Sequence, residues 1–286
     1  MKFFYLKKTK RRIFYFAFLS LIFLFIANFL SYRLSDFLFE DNFSSDTLNF
    51  PKEEVKLTII IDDIGRSFNT AKKIWDINKN ITLSILPFLK YSRKISEYAK
   101  ENHLPAMLHF PMEPINYRTK LESFFLLTNM NSQNFYNVLN KVLNSIPYYQ
   151  GINNHMGSKF TSDYKSLKKF FDIIKFKNVF FIDSITSPSS IAAKISIEEG
   201  ILTGVRDIFL DNKLDVKYIL NQLDKLYNLA EKKGYAIAIG HPHKETIEAL
   251  KIFFKNKKDV KILSANKGLK YFSNYEKALV FRKEIH

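Results

Sequence analysis

Apolar positions along this chain alternate between two patterns. Short runs of Ile, Leu, Val and Phe have the length of buried strands, and longer stretches repeat their apolar residues every three or four positions. The short runs predict strands near 57–61, 81–86, 104–109, 149–153, 178–182, 201–205 and 235–239. Amphipathic helices are predicted near 68–78, 91–102, 131–145, 163–176, 189–199, 214–233 and 244–255. Val260-Lys261-Ile262-Leu263 suits an eighth strand, while 265–286 falls outside the repeat and is expected to pack across the outside or fray. Strand followed by helix, many times over, implies a parallel sheet with helices outside. Seven or eight such units in about 210 residues imply a (β/α) barrel over 56–264 rather than an open sheet. The longest break, 111–130, holds Pro111 and Pro114, and loops of that length inside a compact domain are often functional.

Ahead of the repeat the pattern changes. Residues 1–12 carry Lys2, Lys7, Lys8, Lys10, Arg11 and Arg12, and no charge follows from Ile13 to Tyr32. That length just spans a bilayer as a helix, so 13–32 is expected to be a transmembrane signal-anchor. The basic flank should stay cytoplasmic, which anchors the chain in the cytoplasmic membrane and sends the rest outside. A cleaved signal peptide is the main rival, although no A-x-A-like site follows the run. A buried soluble helix is the third option. Residues 33–55 are polar and acidic and read as a tether.

Composition narrows the function. The net charge is +16, but beyond the N-terminal block the surplus lysine is scattered along helices. There is no basic stripe and no nucleic-acid motif, so nucleic acid is not an expected partner. With no cysteine, disulfides, thiolate catalysis and cysteine metal sites are excluded.

What the strands end in carries the chemistry. Leu57-Thr58-Ile59-Ile60-Ile61 runs into Asp62-Asp63-Ile64-Gly65. Two adjacent acids on an extended chain point to opposite sides, so they can take different jobs. Their bland alternative is a capped strand end. Later strands lead to His109 and Glu113, to Asn153-Asn154-His155, to Asp183, to Arg206-Asp207 and to His241-Pro242-His243. Four of the six histidines thus fall at strand ends, and in a parallel barrel those ends share one face. Singly, Asp183 and Asp207 could be helix caps, the asparagines turn residues, and His243 the opening of a helix. Together they offer the donors of a zinc-type divalent site, with a carboxylate and a histidine left for proton transfer. No G-x-S-x-G elbow, P-loop or dinucleotide fingerprint is present. A glycosidase pair, Asp62 or Asp63 with Glu113 or Asp183, stays open but leaves the histidines unused.

Six motifs stand in order: I-D-D-I-G at 61–65, H-F-P-M-E-P at 109–114, N-N-H-M-G-S at 153–158, F-I-D-S at 181–184, R-D-I-F-L-D-N at 206–212 and G-H-P-H at 240–243. They resemble the divergent polysaccharide deacetylase family, relatives of metal-dependent carbohydrate deacetylases with a seven-stranded (β/α) barrel. The resemblance spans about 57–255. It implies a divalent metal, usually zinc, a carbohydrate polymer as substrate, and hydrolysis of an acetyl group from an aminosugar or acylated sugar; the expected anchor makes that polymer an envelope polysaccharide. It implies Asp62 as general base, Asp63 as metal ligand and His241 as general acid. Ordinary deacetylases take both metal histidines from one H-x-x-x-H motif, which this chain lacks. His109 and His155, from neighbouring strand ends, are expected to complete the metal site. Arg206 is expected to pair with Asp62 and hold it ionised, with Glu113, Asn154, Asp183, Asp207 and His243 as substrate-binding or supporting groups. The alternative is an inactive barrel kept for glycan binding or scaffolding.

Overall fold

The computed structural model describes residues 54–117 and 121–284. The segments expected at 1–12 and 13–32, and nearly all of the tether, lie outside the described residues. Among the described residues no helix is long and apolar enough to cross a membrane.

The strands are β1 (Val55–Ile64), β2 (Thr82–Ile85), β3 (Ala106–Met112), β4 (Gly151–Met156), β5 (Phe180–Asp183), β6 (Thr203–Val205), β7 (Ile208–Phe209), β8 (Ala236–Gly240) and β9 (Val260–Ile262). The helices are α1 (Phe68–Ile77), α2 (Ser92–Glu101), α3 (Ser132–Leu143), α4 (Tyr164–Ile174), α5 (Ala192–Glu198), α6 (Val216–Lys233), α7 (Lys244–Asn256) and α8 (Ala265–Glu284). Polar caps start several of them: Ser67, Asn131, Asp163 and Asp215 each accept a backbone N–H of the first turn.

All strand pairs are parallel, in the order β6-β5-β4-β3-β2-β1-β8-β7, with β9 on the start of β1. The sheet is strongly curled. Its two edge strands, β6 and β7, are separated only by Arg206 and Asp207. Arg206 N–H donates to Asp183 O on one side of the sheet, and Asp207 N–H donates to Ile237 O on the other. The single sixth strand expected at 201–205 is therefore two short pieces that change partner at Arg206–Asp207.

Strand alternation sorts the core into two layers. Leu57, Ile59, Ile61, Leu108, Phe110, Ile152 and Phe181 belong to the layer shared with the helices. Ile60, Met107, Ile182, Ile237 and Ile239 form a second cluster inside the curl. The first turns of α8 plug the lower end of that interior with Ala265 and Leu269. Ala265 N–H donates to Thr82 Oγ1, and Tyr235 Oη donates to Thr58 Oγ1 beside it. This corrects the expectation that 265–286 lies outside the barrel, at least for its first turns. The helix comes so close that a Cβ at Gly268 would overlap the Tyr235 hydroxyl and lie 2.5 Å from Thr58 Oγ1. Gly268→Ala is expected to destabilise the fold by about 1–3 kcal/mol through overpacking, read as a lower midpoint in chemical denaturation.

Candidate active site

The inward-facing residues change from apolar to polar at the C-terminal end of the sheet. Following each inward row upward gives Ile60 then Asp62 on β1, Met107 then His109 on β3, and Ile182 then Ser184 after β5. On β8 the row runs from Ile239 to His241, and on β4 it ends in Asn153 and His155. These side chains meet around a cavity of about 440 Å³ lined by Asp62, Asp63, His109, His155, Arg206 and His241, among others.

Asp63 reaches this cavity by an irregularity. Ile61 pairs with Leu83 but Ile64 pairs with Ile85, so β1 carries one extra residue across that interval. Asp63 sits in the left-handed region at φ 56. Asp is one of the few residues that visits this region readily. A bulge re-aims a side chain, and here it brings both acids to one histidine. His109 Nε2 lies 3.6 Å from Asp62 Oδ2 and 3.3 Å from Asp63 Oδ1. The expectation that adjacent acids face opposite sides is thus overturned at this step of the strand. Gly65 follows at φ 146, packed so tightly on Leu89 and Ser92 that a side chain would not fit.

Three donor atoms form a nearly equilateral triangle. Asp63 Oδ1 is 3.3 Å from His109 Nε2 and 3.1 Å from His155 Nδ1, and the two ring nitrogens are 3.2 Å apart. Asp63 Oδ1 is buried yet has no properly directed hydrogen bond. Such an orphan is costly unless something else satisfies it. A tetrahedral ion at about 2.0–2.2 Å from each of three ligands separates them by about 3.3–3.6 Å. The triangle and the donor set of one carboxylate and two imidazoles fit a zinc-type ion.

Charges around the triangle suit a cation. Burial acts to raise the Asp63 carboxyl, but the facing nitrogens of His109 and His155 reverse this and hold it below the usual carboxylate range. Burial acts against a charge on His109, yet the Asp62 and Asp63 carboxylates outweigh it and raise the ring above its ordinary value. A proton on His109 occupies the place a metal would take, and metal binding releases it. Asp62 moves the other way. Its burial raises it above the usual carboxylate range, against the opposing pull of His109, the Asn153 hydrogen bond and His241.

Asn153 holds these groups together, and it was not among the site residues expected from the sequence. Its Oδ1 faces His109 Nδ1 at 2.9 Å and accepts from Ser84 Oγ at 2.5 Å. Its Nδ2 donates to Asp62 Oδ1 at 2.9 Å and to Ser184 Oγ at 3.1 Å. A hydrogen bond to the far nitrogen of a ligating histidine fixes which nitrogen faces the ion. Asn153→Ala leaves several fully buried groups without partners. It is expected to cost about 1–3 kcal/mol for each, measured by denaturation of the metal-free chain.

Asp211 is the second residue missed. It holds His241 twice: its Oδ2 accepts from His241 N at 2.5 Å, and its Oδ1 faces His241 Nδ1 at 3.0 Å. Thr246 Oγ1 also donates to Oδ2. Burial works against a charged His241, but the Asp211 contact and the charges of Asp211, Asp62 and Asp63 push it up to about 9. His241 Nε2 then faces the site, 3.9 Å from Asp63 Oδ2.

Several expected residues are engaged elsewhere. Arg206 lines the cavity, but its guanidinium donates to Ser184 O and Ile185 O, and the partner hydrogen-bonded to Asp62 is Asn153. Glu113 receives Lys159 Nζ, Thr128 N and Thr128 Oγ1, all at 2.7 Å, and so ties Thr128 and Lys159 to the end of β3. Asp183 is on the outward parity of β5 and accepts from Ser190 Oγ and Ala193 N at the start of α5. Asp207 bonds Lys233 and Ile237 N. With Glu113 and Asp183 engaged elsewhere, none of the glycosidase pairs forms. Asn154 bridges Met156 O and Ser184 N at the rim, and His243 opens α7 beside His241.

Comparison with known proteins agrees with this architecture. The chain is 31% identical over 203 residues to the uncharacterized protein YibQ of Escherichia coli K12, covering 71% of this chain and 63% of that protein. It is 32% identical over 208 residues to an uncharacterized protein of Haemophilus influenzae, covering 73% of this chain and 74% of that one. The chain thus spans less than two thirds of the Escherichia coli relative. A crystal structure of an uncharacterized protein from Agrobacterium tumefaciens C58 superposes with a TM-score of 0.69 at 22% identity, covering 75% of this chain and 88% of that one. It shares the fold. The model of the divergent polysaccharide deacetylase family matches residues 59–267, nearly the whole of the curled sheet and its helices, and the chain belongs to that family.

Proposed function

We propose that this protein is a metal-dependent hydrolase that removes acetyl groups from amino sugars of an envelope polysaccharide. The observation that carries the proposal is the triangle of Asp63 Oδ1, His109 Nε2 and His155 Nδ1, flanked by a spare carboxylate, Asp62, and a spare imidazole, His241. Asp63, His109 and His155 would hold the ion, and zinc is the ion their chemistry suits best. Bound there, the metal supplies Lewis-acid polarisation of an acyl carbonyl and acidifies a water.

The protein's own groups divide the proton work. Asp62 is held by Asn153 close to the metal triangle, and burial raises its pKa above the usual carboxylate range. It accepts the proton of the attacking water as general base. His241, charged at neutral pH and oriented through Nδ1 by Asp211, donates from Nε2 to the departing sugar amine. Reading β6 and β7 as one interrupted strand gives seven positions round the sheet, the barrel expected of carbohydrate deacetylases. The apolar 13–32 segment with its basic flank would anchor this site at the outer face of the cytoplasmic membrane, where such polymers lie.

The test is to load the full-length chain with zinc and measure acetate released from chitooligosaccharides and from peptidoglycan fragments. Chelator-sensitive acetate release is expected. Reducing ends without acetate would indicate a glycosidase, and bound zinc with neither product would indicate a glycan-binding scaffold.

The pH profile gives a second check. A histidine whose pKa is raised on folding keeps its proton up to its folded value, while the stability that proton confers is full below the unfolded value and is lost as pH rises through the folded one. With His241 near 9, activity is expected to persist through neutral pH and fall on the alkaline side. Asp211→Asn removes the facing charge. The alkaline limb of kcat/KM should then move to lower pH. A limb that stays in place would remove His241 from the acid role.

A further inference from the structure

We propose that Asp211, His241 and His243 form a second site for a divalent cation of the zinc type, and that filling it withdraws His241 from proton transfer. The three residues each offer a ligand atom, and those atoms lie within 4.8 Å of one another. One carboxylate and two imidazoles is again a zinc-type donor set.

The parts are arranged unequally, and this matters for the chemistry. Asp211 is fixed: its Oδ2 is committed to His241 N and Thr246 Oγ1, which leaves Oδ1 turned to His241 Nδ1. The 3.0 Å between Oδ1 and Nδ1 is near the edge expected between two ligands of a tetrahedral ion, about 3.3 Å. His243 is exposed and makes no capping hydrogen bond, although it stands at the first position before α7. Its ring centroid lies 5.8 Å from that of His241. It is therefore the member free to close on an ion. Both histidines and Asp63 line one open cavity of about 300 Å³, so an ion reaches the two rings from solvent, with the buried Asp211 carboxylate behind His241.

Binding exchanges one proton for one ion. The proton on His241 Nδ1 goes to solvent, and the freed lone pair becomes a ligand together with Asp211 Oδ1 and the His243 ring. His241 then has no positive charge of its own and no Asp211 contact to support the donation of a proton from Nε2. Excess zinc thus inhibits by occupying the positioning carboxylate and the acid together. This regulatory consequence rests on the hydrolase reading, whereas the binding itself does not.

The experiment separates the two. Zinc bound to the full-length chain is measured by equilibrium dialysis and elemental analysis across a wide range of free zinc. Two ions per wild-type chain are expected at saturation. Asp63→Ala is expected to keep one and His243→Ala to keep one, while the double variant keeps neither. His243→Gln repeats the result with a bulkier side chain at this exposed position. Saturation of the wild type at a single ion, or two ions retained by His243→Ala, overturns the site. Where acetate release is measurable, wild-type rate at excess zinc should fall about 10²-fold below its maximum, the scale of a lost general acid, and His243→Ala should not show the fall. Two ions bound with no such fall overturns the inhibitory role.

Discussion

Asp62→Asn is expected to lower turnover by about 10²–10⁴-fold, the usual contribution of a general base, while zinc content stays unchanged. The substitution keeps the size of the side chain and an oxygen that can accept from Asn153 Nδ2, the contact that positions it at 2.9 Å. Asp62 also stands outside the triangle of closest donor atoms, 3.6 Å from His109 Nε2. Loss of activity with retained metal therefore separates proton transfer from metal binding. If zinc leaves with the charge, Asp62 is a ligand and the division of labour between the two acids is wrong. If turnover survives, some other group takes the proton.

Asp63→Asn is expected to weaken zinc binding by more than about 10²-fold, since changes in the shell outside the ligands already cost 10–100-fold, and to abolish metal-dependent activity. Asparagine tolerates the left-handed backbone, so the fold should persist. A glycine variant sharpens the comparison. Asp63→Gly relieves the positive φ, but it also removes the carboxylate that His109 and His155 hold ionised. The metal-free glycine variant should therefore be less stable than wild type, and it should lose the zinc held with His109 and His155; denaturation and titration calorimetry read the two effects. Zinc bound there at wild-type affinity by either variant would remove Asp63 from the ligand set.

Much of this site is legible in the order of the strands. Asp62, Asp63, His109, His155 and His241 all follow apolar runs, and a parallel sheet brings those ends to one face. What the strand ends alone do not say is which residue points in. That information lies in the period of two. Asn153 shares its parity with His155 and faces the interior, whereas Asn154 faces out to the rim. Ser184 is inward and Asp183 outward, which is why the latter caps α5. Counting back in twos from His155 finds Asn153. Asp63 defeats the same count, because a one-residue bulge is invisible in an apolar run. Asp211 lay within a recognised motif, R-D-I-F-L-D-N, but the first acid stood nearer the expected strand. The break between β6 and β7 moves the second acid, not the first, beside His241. Arg206 was matched to Asp62 by resemblance, and its guanidinium instead meets two carbonyls. The plug by α8 is similarly hidden, since Gly268 and Ala265 look unremarkable until Tyr235 is placed against them.

The most direct measurement of the account is X-ray absorption at the zinc edge on the full-length chain carrying His243→Ala, which disables the second cluster, and one equivalent of zinc. One carboxylate oxygen and two imidazole nitrogens at about 2.0–2.2 Å are expected, with the imidazole signal halved in both His109→Ala and His155→Ala. A bound zinc whose shell is unchanged by either variant, or a chain that holds no zinc at all, would contradict it.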